Sequence, residues 1–427
     1  MRIGEAFCPG VLHAVEAKDG LLLRIRVPGG GIEGTQLRAL ADLTKMFADG
    51  SLEITSRANL QLRAIERHNL PQITESLRSV GFLPSPQHDR VRNIVTSPIA
   101  GLDREEVIDP RPLIHELDRK LRAEPVFANL HPKFSFGIYG GPNRFSRDLD
   151  DIVLQATEAQ SATYLHLSLG GHSSGFAVRG ADAVECILVA ARTCIELARE
   201  CNVPVRTRAI MELPDGPQRV KRALSHLRLF PAAAAPPCKV NDGLLGIYAT
   251  TQQDRMNIIP SVPLGRLSQE QAYYLADASN EWEADLRLAP WRGVVLGSIS
   301  RNIAGKLVDG LDSLGLSCDG REGFHGISAC AGITGCEASM ADVRRDARSI
   351  AQRLAGEPVI SRWTVNLSGC EKQCGRRHGA TADLVAGPSG YTLMAEGTLS
   401  ASDCPPQVAI EAIAALHHRV LSGSAAQ

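Results

Sequence analysis

The sequence predicts an α+β protein built by internal duplication, with two half-repeats of ferredoxin-like size, each followed by a larger α/β segment. Three observations predict it: a strand-helix-strand-helix order opens the chain, a similar order returns in its second half, and a Pro/Ala-rich stretch stands before the return. The expected units are 1–86, the first half-repeat; 87–238, the first α/β domain; 239–304, the second half-repeat; and 305–427, the second α/β domain.

The first half-repeat begins with Gly20-Leu21-Leu22-Leu23-Arg24-Ile25-Arg26-Val27, an apolar run of strand length. Thr35 then opens an amphipathic helix carrying Leu37, Leu40, Ala41, Leu43 and Phe47, followed by a strand from Leu52 to Leu62 and a helix from Leu70 to Val80. In the second, Gly243 to Ile247 starts the pattern, Ser268 to Leu275 is helical, and Leu286 to Leu296 ends as a strand. Between the copies, Phe230-Pro231 to Pro236-Pro237 cannot form a continuous helix or a central strand, so a linker is expected there. The first α/β segment holds a strand from Ser161 to Gly170 and a helix around Cys194; the second holds a helix from Ser339 to Leu354, a strand from Trp363 to Leu367 and a last helix near Val408 to Leu421.

A chain of 427 residues exceeds what one hydrophobic core usually supports. Its 44% apolar and 22% charged residues are those of an ordinary globular protein, and a net charge of −1 supplies no bulk attraction for nucleic acid or anionic membrane, so any anion site must be local. The first residues form no signal-peptide core, and no apolar run approaches the ~18 residues of a membrane span, so a cytoplasmic location is expected.

In a reducing compartment, 11 cysteines serve as buried apolar residues, ligands or redox groups. Cys186, Cys194 and Cys201 follow a helical spacing that suits one buried face and are expected in the core. The others of interest are paired: Cys330-Ala331-Gly332-Ile333-Thr334-Gly335-Cys336 is C-x5-C, and Cys370-Glu371-Lys372-Gln373-Cys374 is C-x3-C. A 4Fe-4S cube needs four thiolates and small neighbours that let backbone amides approach its sulfurs, which Gly332, Gly335, Gly369 and Gly375 provide. Structural zinc, whose cysteine pairs normally have two to four intervening residues, fits a five-residue gap poorly.

These motifs, with Asn366-Leu367-Ser368-Gly369 leading into Cys370, resemble those of the nitrite and sulfite reductase superfamily. Ser56-Arg57-Ala58-Asn59-Leu60-Gln61-Leu62-Arg63 and Val91-Arg92-Asn93-Ile94-Val95 resemble its two arginine motifs, so the likeness spans nearly the whole chain, internal duplication included. It implies a nitrite/sulfite reductase-like fold and a 4Fe-4S cluster on Cys330, Cys336, Cys370 and Cys374, with Cys374 the thiolate facing the active centre. It also implies a cationic face over that centre. Arg57, Arg63 and Arg92 are candidates, because guanidinium groups grip carboxylates at two points. In His131-Pro132-Lys133-Phe134-Ser135-Phe136, Lys133 is kept and Ser135 stands where sulfite reductases carry a second lysine on the same strand face.

Phe7-Cys8-Pro9-Gly10, Leu286 to Leu296 with Trp291 and Arg292, and Ala329-Cys330-Ala331-Gly332 resemble the precorrin-3B synthase branch of that superfamily. This implies an oxygen-dependent monooxygenase of cobalamin biosynthesis, with precorrin-3A in the tetrapyrrole site and electrons passing from the cluster to a mononuclear non-haem iron that works with dioxygen. Arg57, Arg92 and Lys133 are then the candidate catalytic residues, and Arg57, Arg63, Arg92, Lys133 and Arg292 the candidate substrate-binding ones. A sirohaem-dependent nitrite or sulfite reductase is the alternative, and an iron-sulfur scaffold or tetrapyrrole sensor without turnover the reading from another class. Electrons are expected from a separate reductase or ferredoxin, and a duplicated chain that forms its own two-fold interface is expected to be monomeric. Ligands of the second iron are not assignable from spacing; His131, His325 and His378 lie near the motifs in sequence.

Gly29-Gly30-Gly31-Ile32-Glu33-Gly34 fits G-x-G-x-x-G but lacks an acidic residue at the end of the next strand, so a turn is expected rather than a dinucleotide site. Arg344-Arg345-Asp346-Ala347-Arg348 reads as a solvated helix face.

Overall fold

The computed structural model describes residues 8–424, apart from 147–148, 160, 233–235, 361 and 377–378. Strand Gly20–Ile25 buries Leu21, Leu23 and Ile25 on one face, as alternation requires. Helix Gly34–Phe47 follows, its start fixed by a reciprocal capping box between Glu33 and Gln36. The glycine run before it is a tight turn, Gly30 donating its N–H to the Val27 carbonyl. The single strand expected over 52–62 is a hairpin, Ser51–Ile54 and Leu60–Ile65. Its turn is closed by the Thr55 N–H on the Asn59 carbonyl, and Ala58 takes a positive φ of 52°. Two apolar runs flanking a polar turn read as one strand when the turn carries neither Gly nor Pro.

The second copy needs a like correction, although here Pro290 and Gly293 do mark the break: Asp285–Ala289 and Gly293–Ser300 form a hairpin around Pro290–Arg292, with Arg292 at φ 67°. Each half-repeat is therefore strand, helix, hairpin, helix: Gly20–Ile25, Gly34–Phe47, the 51–65 hairpin and Leu70–Ser79 in one; Arg255–Ile259, Gln269–Trp282, the 285–300 hairpin and Arg301–Ser313 in the other. In both sheets the second hairpin strand lies between the first strand and the other arm. The copies are not separate bodies. Strand Arg266–Ser268 pairs with Ser51–Ile54, and one hydrophobic core takes residues from both. Helices Gly34–Phe47 and Gln269–Trp282 approach so closely at Gly34 that a Cβ there would sit 2.5 Å from the Ala276 carbonyl oxygen.

The two α/β domains repeat each other as well. Ile94–Val95, Phe136–Tyr139 and Ile152–Ala159 run parallel, then Ala162–Leu169 and His172–Val178 antiparallel. Ile327–Ala329, Val365–Ser368 and Ala382–Gly387 run parallel, then Gly390–Ala395 and Thr398–Cys404 antiparallel. A helix joins the first two strands of each sheet, Arg111–Ala123 or Val343–Leu354, the latter starting later than expected behind the Asp342 cap. A long helix follows each last strand, Gly180–Cys201 or Pro406–Ser424. Phe230–Pro231, expected as linker, is a short edge strand against Phe176 and Ala177; the alanines 233–235 lie outside the described residues.

Along Gly180–Cys201, Cys186 and Cys194 are fully buried, which pushes both thiols up to about 12. Cys201, expected on the same face, is exposed at the helix end. The 344–348 face is also less solvated than expected: Arg344 pairs with Glu53 of the first half-repeat, and Asp346 is buried, accepting from the Tyr391 hydroxyl at 2.7 Å. Among the described residues, no helix is long and apolar enough to cross a membrane.

Candidate functional site

Parallel pairing brings the two cysteine motifs together. Ala329 is in register with Leu367, so Cys330 and Cys370 leave adjacent strands at the same end. The Gly369 N–H donates to Cys330 Sγ at 3.3 Å, the kind of amide-to-sulfur contact that lowers the charge on a cluster ligand. Gly375, just past Cys374, packs so tightly that a Cβ would meet the Cys330 backbone nitrogen at 3.2 Å, so the Cys374 turn lies against Cys330. Around Cys336, Ser339 donates its N–H to the Cys336 carbonyl, and its side chain fills the space where a Gly369 Cβ would stand. Cys330, Cys336 and Cys370 are partly buried and Cys374 is exposed. Amide donation to sulfur and glycines at each approach fit a 4Fe-4S cluster held by four thiolates.

Facing these loops is the polar side of the first sheet. Arg24 and Arg26 point away from Leu23 and Ile25, and on the neighbouring strand Gln61 accepts from Arg24 Nε at 2.9 Å while donating to Glu53 at 3.1 Å. Burial lowers the Arg24 guanidinium to about 10, and the charges of Arg57 and Arg292 act in the same direction. Burial likewise pulls Arg26 down to about 9, with Arg24 adding to it. Arg26 Nη2 reaches the carbonyls of Pro9 and Arg90 at 3.3 Å each, but its buried Nε and Nη1 have no partner. Arg57 sits on the hairpin turn, where Thr55 Oγ1 accepts the Arg57 and Asn59 N–H groups; its Nε is buried without a partner. Lys133 has no carboxylate within ion-pair distance among the described residues. Unpaired buried guanidinium atoms cost free energy unless an anion reaches them, so this face fits a polycarboxylate ligand.

Not every expected cation belongs to that face. Arg63 is bound at both Nε and Nη2 to Asp19, 2.9 Å each, and donates to the Gly335 carbonyl at 2.5 Å. Arg92 is held bidentately by Asp118 at 2.6 and 3.1 Å. Arg292 donates to the carbonyls of Ala329, Cys374 and Gly375, at 3.3, 3.1 and 2.6 Å. These three guanidinium groups therefore grip the protein's own carboxylates and loop carbonyls, where the sequence suggested substrate. The period-2 argument for Lys133 and Ser135 also fails: both precede the strand Phe136–Tyr139, and Ser135 is fully buried while Lys133 is half-buried.

His131 accepts the Lys133 N–H on Nδ1 at 3.0 Å. His325 lies at the entering end of its strand, opposite Cys330, and lines a small cavity with Trp363 and His417. His378 and Phe7 lie outside the described residues. Sequence reasoning missed Arg24 and Arg26, although arginines two apart inside Leu-Leu-Leu-Arg-Ile-Arg-Val mark one polar face of an otherwise buried strand.

Fold and site together define a class of duplicated α+β protein that sets two cysteine loops beside a cationic face. Residues 13–80 match the model of the nitrite/sulfite reductase ferredoxin-like half domain, and residues 87–200 that of the nitrite and sulphite reductase 4Fe-4S domain. The chain is 28% identical to a precorrin-3B synthase of Sinorhizobium sp. over 91% of its length and 82% of the relative's. It is 30% identical to a ferredoxin–nitrite reductase of Synechococcus elongatus over 85% of its length and 76% of that relative's. The solved structure of the Mycobacterium tuberculosis NirA protein superposes with a TM-score of 0.75 at 23% identity, covering 90% of this chain and 75% of that one, and shares its fold. The chain belongs to the nitrite/sulfite reductase family. The segment matching the 4Fe-4S domain model, 87–200, contains only the two core cysteines of its helix; the paired cysteines lie in the duplicate of that domain. At the equivalent strand ends the first copy carries Thr96-Ser97 and Gly140-Gly141.

Proposed function

We propose that Cys330, Cys336, Cys370 and Cys374 hold one 4Fe-4S cluster and that the cationic face beside it binds the carboxylates of precorrin-3A, making the chain an oxygen-dependent monooxygenase of the precorrin-3B synthase type. The observation that carries this reading is the continuity of the two features: the charges of Arg57 and Arg292 both act on Arg24, and Arg292 itself holds the Cys374 carbonyl. A macrocycle gripped by Arg57 and Lys133, over the buried charges of Arg24 and Arg26, would lie against the Cys374 turn. The cluster would supply electrons one at a time, and a mononuclear non-haem iron is implied by the same reading.

The chain's own groups bind and orient. Arg57, kept rigid by the Thr55 turn, has no internal acceptor for its Nε–H, so a substrate carboxylate meets no competitor there, while buried Arg26, held through Nη2 by the Pro9 and Arg90 carbonyls, adds positive charge from beneath. Arg24, braced by Gln61, adds positive potential without being free to move. Overall, dioxygen, two electrons and two protons would convert the substrate to its C-20 hydroxylated γ-lactone and water, with the electrons drawn from a ferredoxin or reductase. A ferredoxin donor agrees with the likeness to a ferredoxin–nitrite reductase.

The alternative, a sirohaem nitrite or sulfite reductase, agrees with the cations equally well, since sirohaem carboxylates would suit them too. The resemblance alone sets sulfite reduction behind nitrite reduction, since Ser135 stands where sulfite reductases carry a second lysine. A visible spectrum of anaerobically purified protein separates the readings: broad iron-sulfur absorption alone, with precorrin-3A consumed only under oxygen, is expected. Strong sirohaem bands with nitrite turnover would overturn the synthase assignment.

A further inference from the structure

At the opposite end of the strands that carry the cysteines, one group of side chains has no part in the proposed chemistry. Glu357, from the loop after helix Val343–Leu354, and His417 and His418, from the last helix, place one ligand atom each within 4.8 Å of one another. His417 is 4% exposed, and its buried Nδ1 has no hydrogen-bond partner. Trp363, whose ring meets the His417 ring edge-on at 4.9 Å, has a buried Nε1–H that also lacks an acceptor. Two orphaned buried nitrogens side by side are costly unless something occupies the space between them and their neighbours.

The available space decides what that occupant is. His417, Trp363, Glu357 and His325 line a half-open cavity of about 20 Å³, room for a single water-sized particle, and His418 stands outside its lining. Two imidazoles and one carboxylate suit a borderline divalent metal such as zinc, with a water in the fourth position that the Trp363 N–H could donate to. Arg353 and Glu411, which connect the same two elements nearby, already pair with each other and add no charge to the site.

We infer that Glu357, His417 and His418 form a divalent transition-metal site that staples the last helix, Pro406–Ser424, to the loop behind helix Val343–Leu354. The site is separate from the cluster loops, because His325 and Trp363 precede the strands that Cys330 and Cys370 follow. Its role is structural: a bound ion reinforces segments joined so far by helix packing and by two ion pairs, Arg353–Glu411 and His418–Glu357, and its binding energy adds to the folding energy of the domain.

The test uses tag-free full-length protein with its cluster, dialysed against a chelator and titrated with Zn²⁺ by calorimetry and with Co²⁺ by visible absorption. One ion per chain is expected, with the absorption bands of Co²⁺ bound to nitrogen and oxygen ligands, and Zn²⁺ should raise the melting temperature. Glu357→Gln and His418→Ala, both partly exposed and so without a packing cost, should each weaken binding at least tenfold and abolish the melting shift while cluster absorbance is unchanged. Failure of the native chain to bind, native affinity in both variants, or no thermal shift on binding overturns the proposal.

Discussion

The Arg63 guanidinium donates to the Gly335 carbonyl at 2.5 Å across 272 residues of sequence, fastening the first half-repeat to the residue before Cys336. The loop carrying half of the cysteine set is thus positioned by a domain that contributes no cysteine to it. Asp19 fixes Arg63 from the other side, so the charge is balanced and the contact works as a brace. Arg292 performs the matching task on the second pair, from the hairpin turn of the other half-repeat.

Cys374→Ser should lose most of the visible iron-sulfur absorption, because a hydroxyl is a poor substitute for thiolate on iron. Iron content and spectrum of the anaerobically purified variant are the measurement; unchanged values would remove Cys374 from the ligand set.

Arg57→Ala should leave thermal stability nearly unchanged, since the guanidinium has no internal partner to lose, but should weaken tetrapyrrole binding by about 1.5–3 kcal/mol, roughly tenfold to a hundredfold. Arg92→Ala should do the reverse. It strands the half of Asp118 that Arg122 does not hold and should cost about 3 kcal/mol of stability. Equilibrium binding and chemical unfolding on both variants distinguish the two roles, and an equal pattern would show the division between them to be mistaken.

Gly375→Ala would drive a Cβ to 2.4 Å from Asn366 Oδ1 and 3.2 Å from the Cys330 nitrogen. Asn366 is fully buried and bonded to Asp383 at 2.9 Å, so it has little room to yield. A loss of about 1–3 kcal/mol is expected, with reduced iron content measured on the purified variant. Full iron occupancy at native stability would contradict the tight approach of the two loops.

Glu106 carries a carboxyl that burial raises to about 8, even though the Gly101 N–H donates to it. The folded chain therefore keeps a proton there that the unfolded chain releases near pH ~4.5, its ordinary value. The stability tied to that proton is complete below the unfolded value and is lost as pH rises toward about 8. Glu106→Gln, neutral throughout, should flatten this fall in urea-unfolding curves taken between these limits. A slope identical to that of the native protein would place the proton elsewhere.

The sequence carried the parts of this molecule that depend on local pattern. Alternation in Gly20–Ile25, the helical stripe of Leu37, Leu40 and Leu43 and the repeated order of elements are properties of neighbouring residues, and they gave the duplicated α+β class directly. The paired cysteines were legible because each pair sits within one loop. What failed locally were the two hairpins: the turn at Arg57 carries neither Gly nor Pro, and the turn at Arg292 was passed over although Pro290 and Gly293 mark it.

Which arginine faces a ligand and which faces the protein was decided only by tertiary structure. Arg57, Arg63 and Arg92 look alike in sequence, each beside an apolar strand, yet Asp19 and Asp118 engage the last two and leave the first with a buried, unpaired Nε. A guanidinium's role is set by the carboxylates that folding brings within hydrogen-bond reach, and those lie tens of residues away. The triad of Glu357, His417 and His418 is hidden from sequence for the same reason, since its members meet only when the last helix docks.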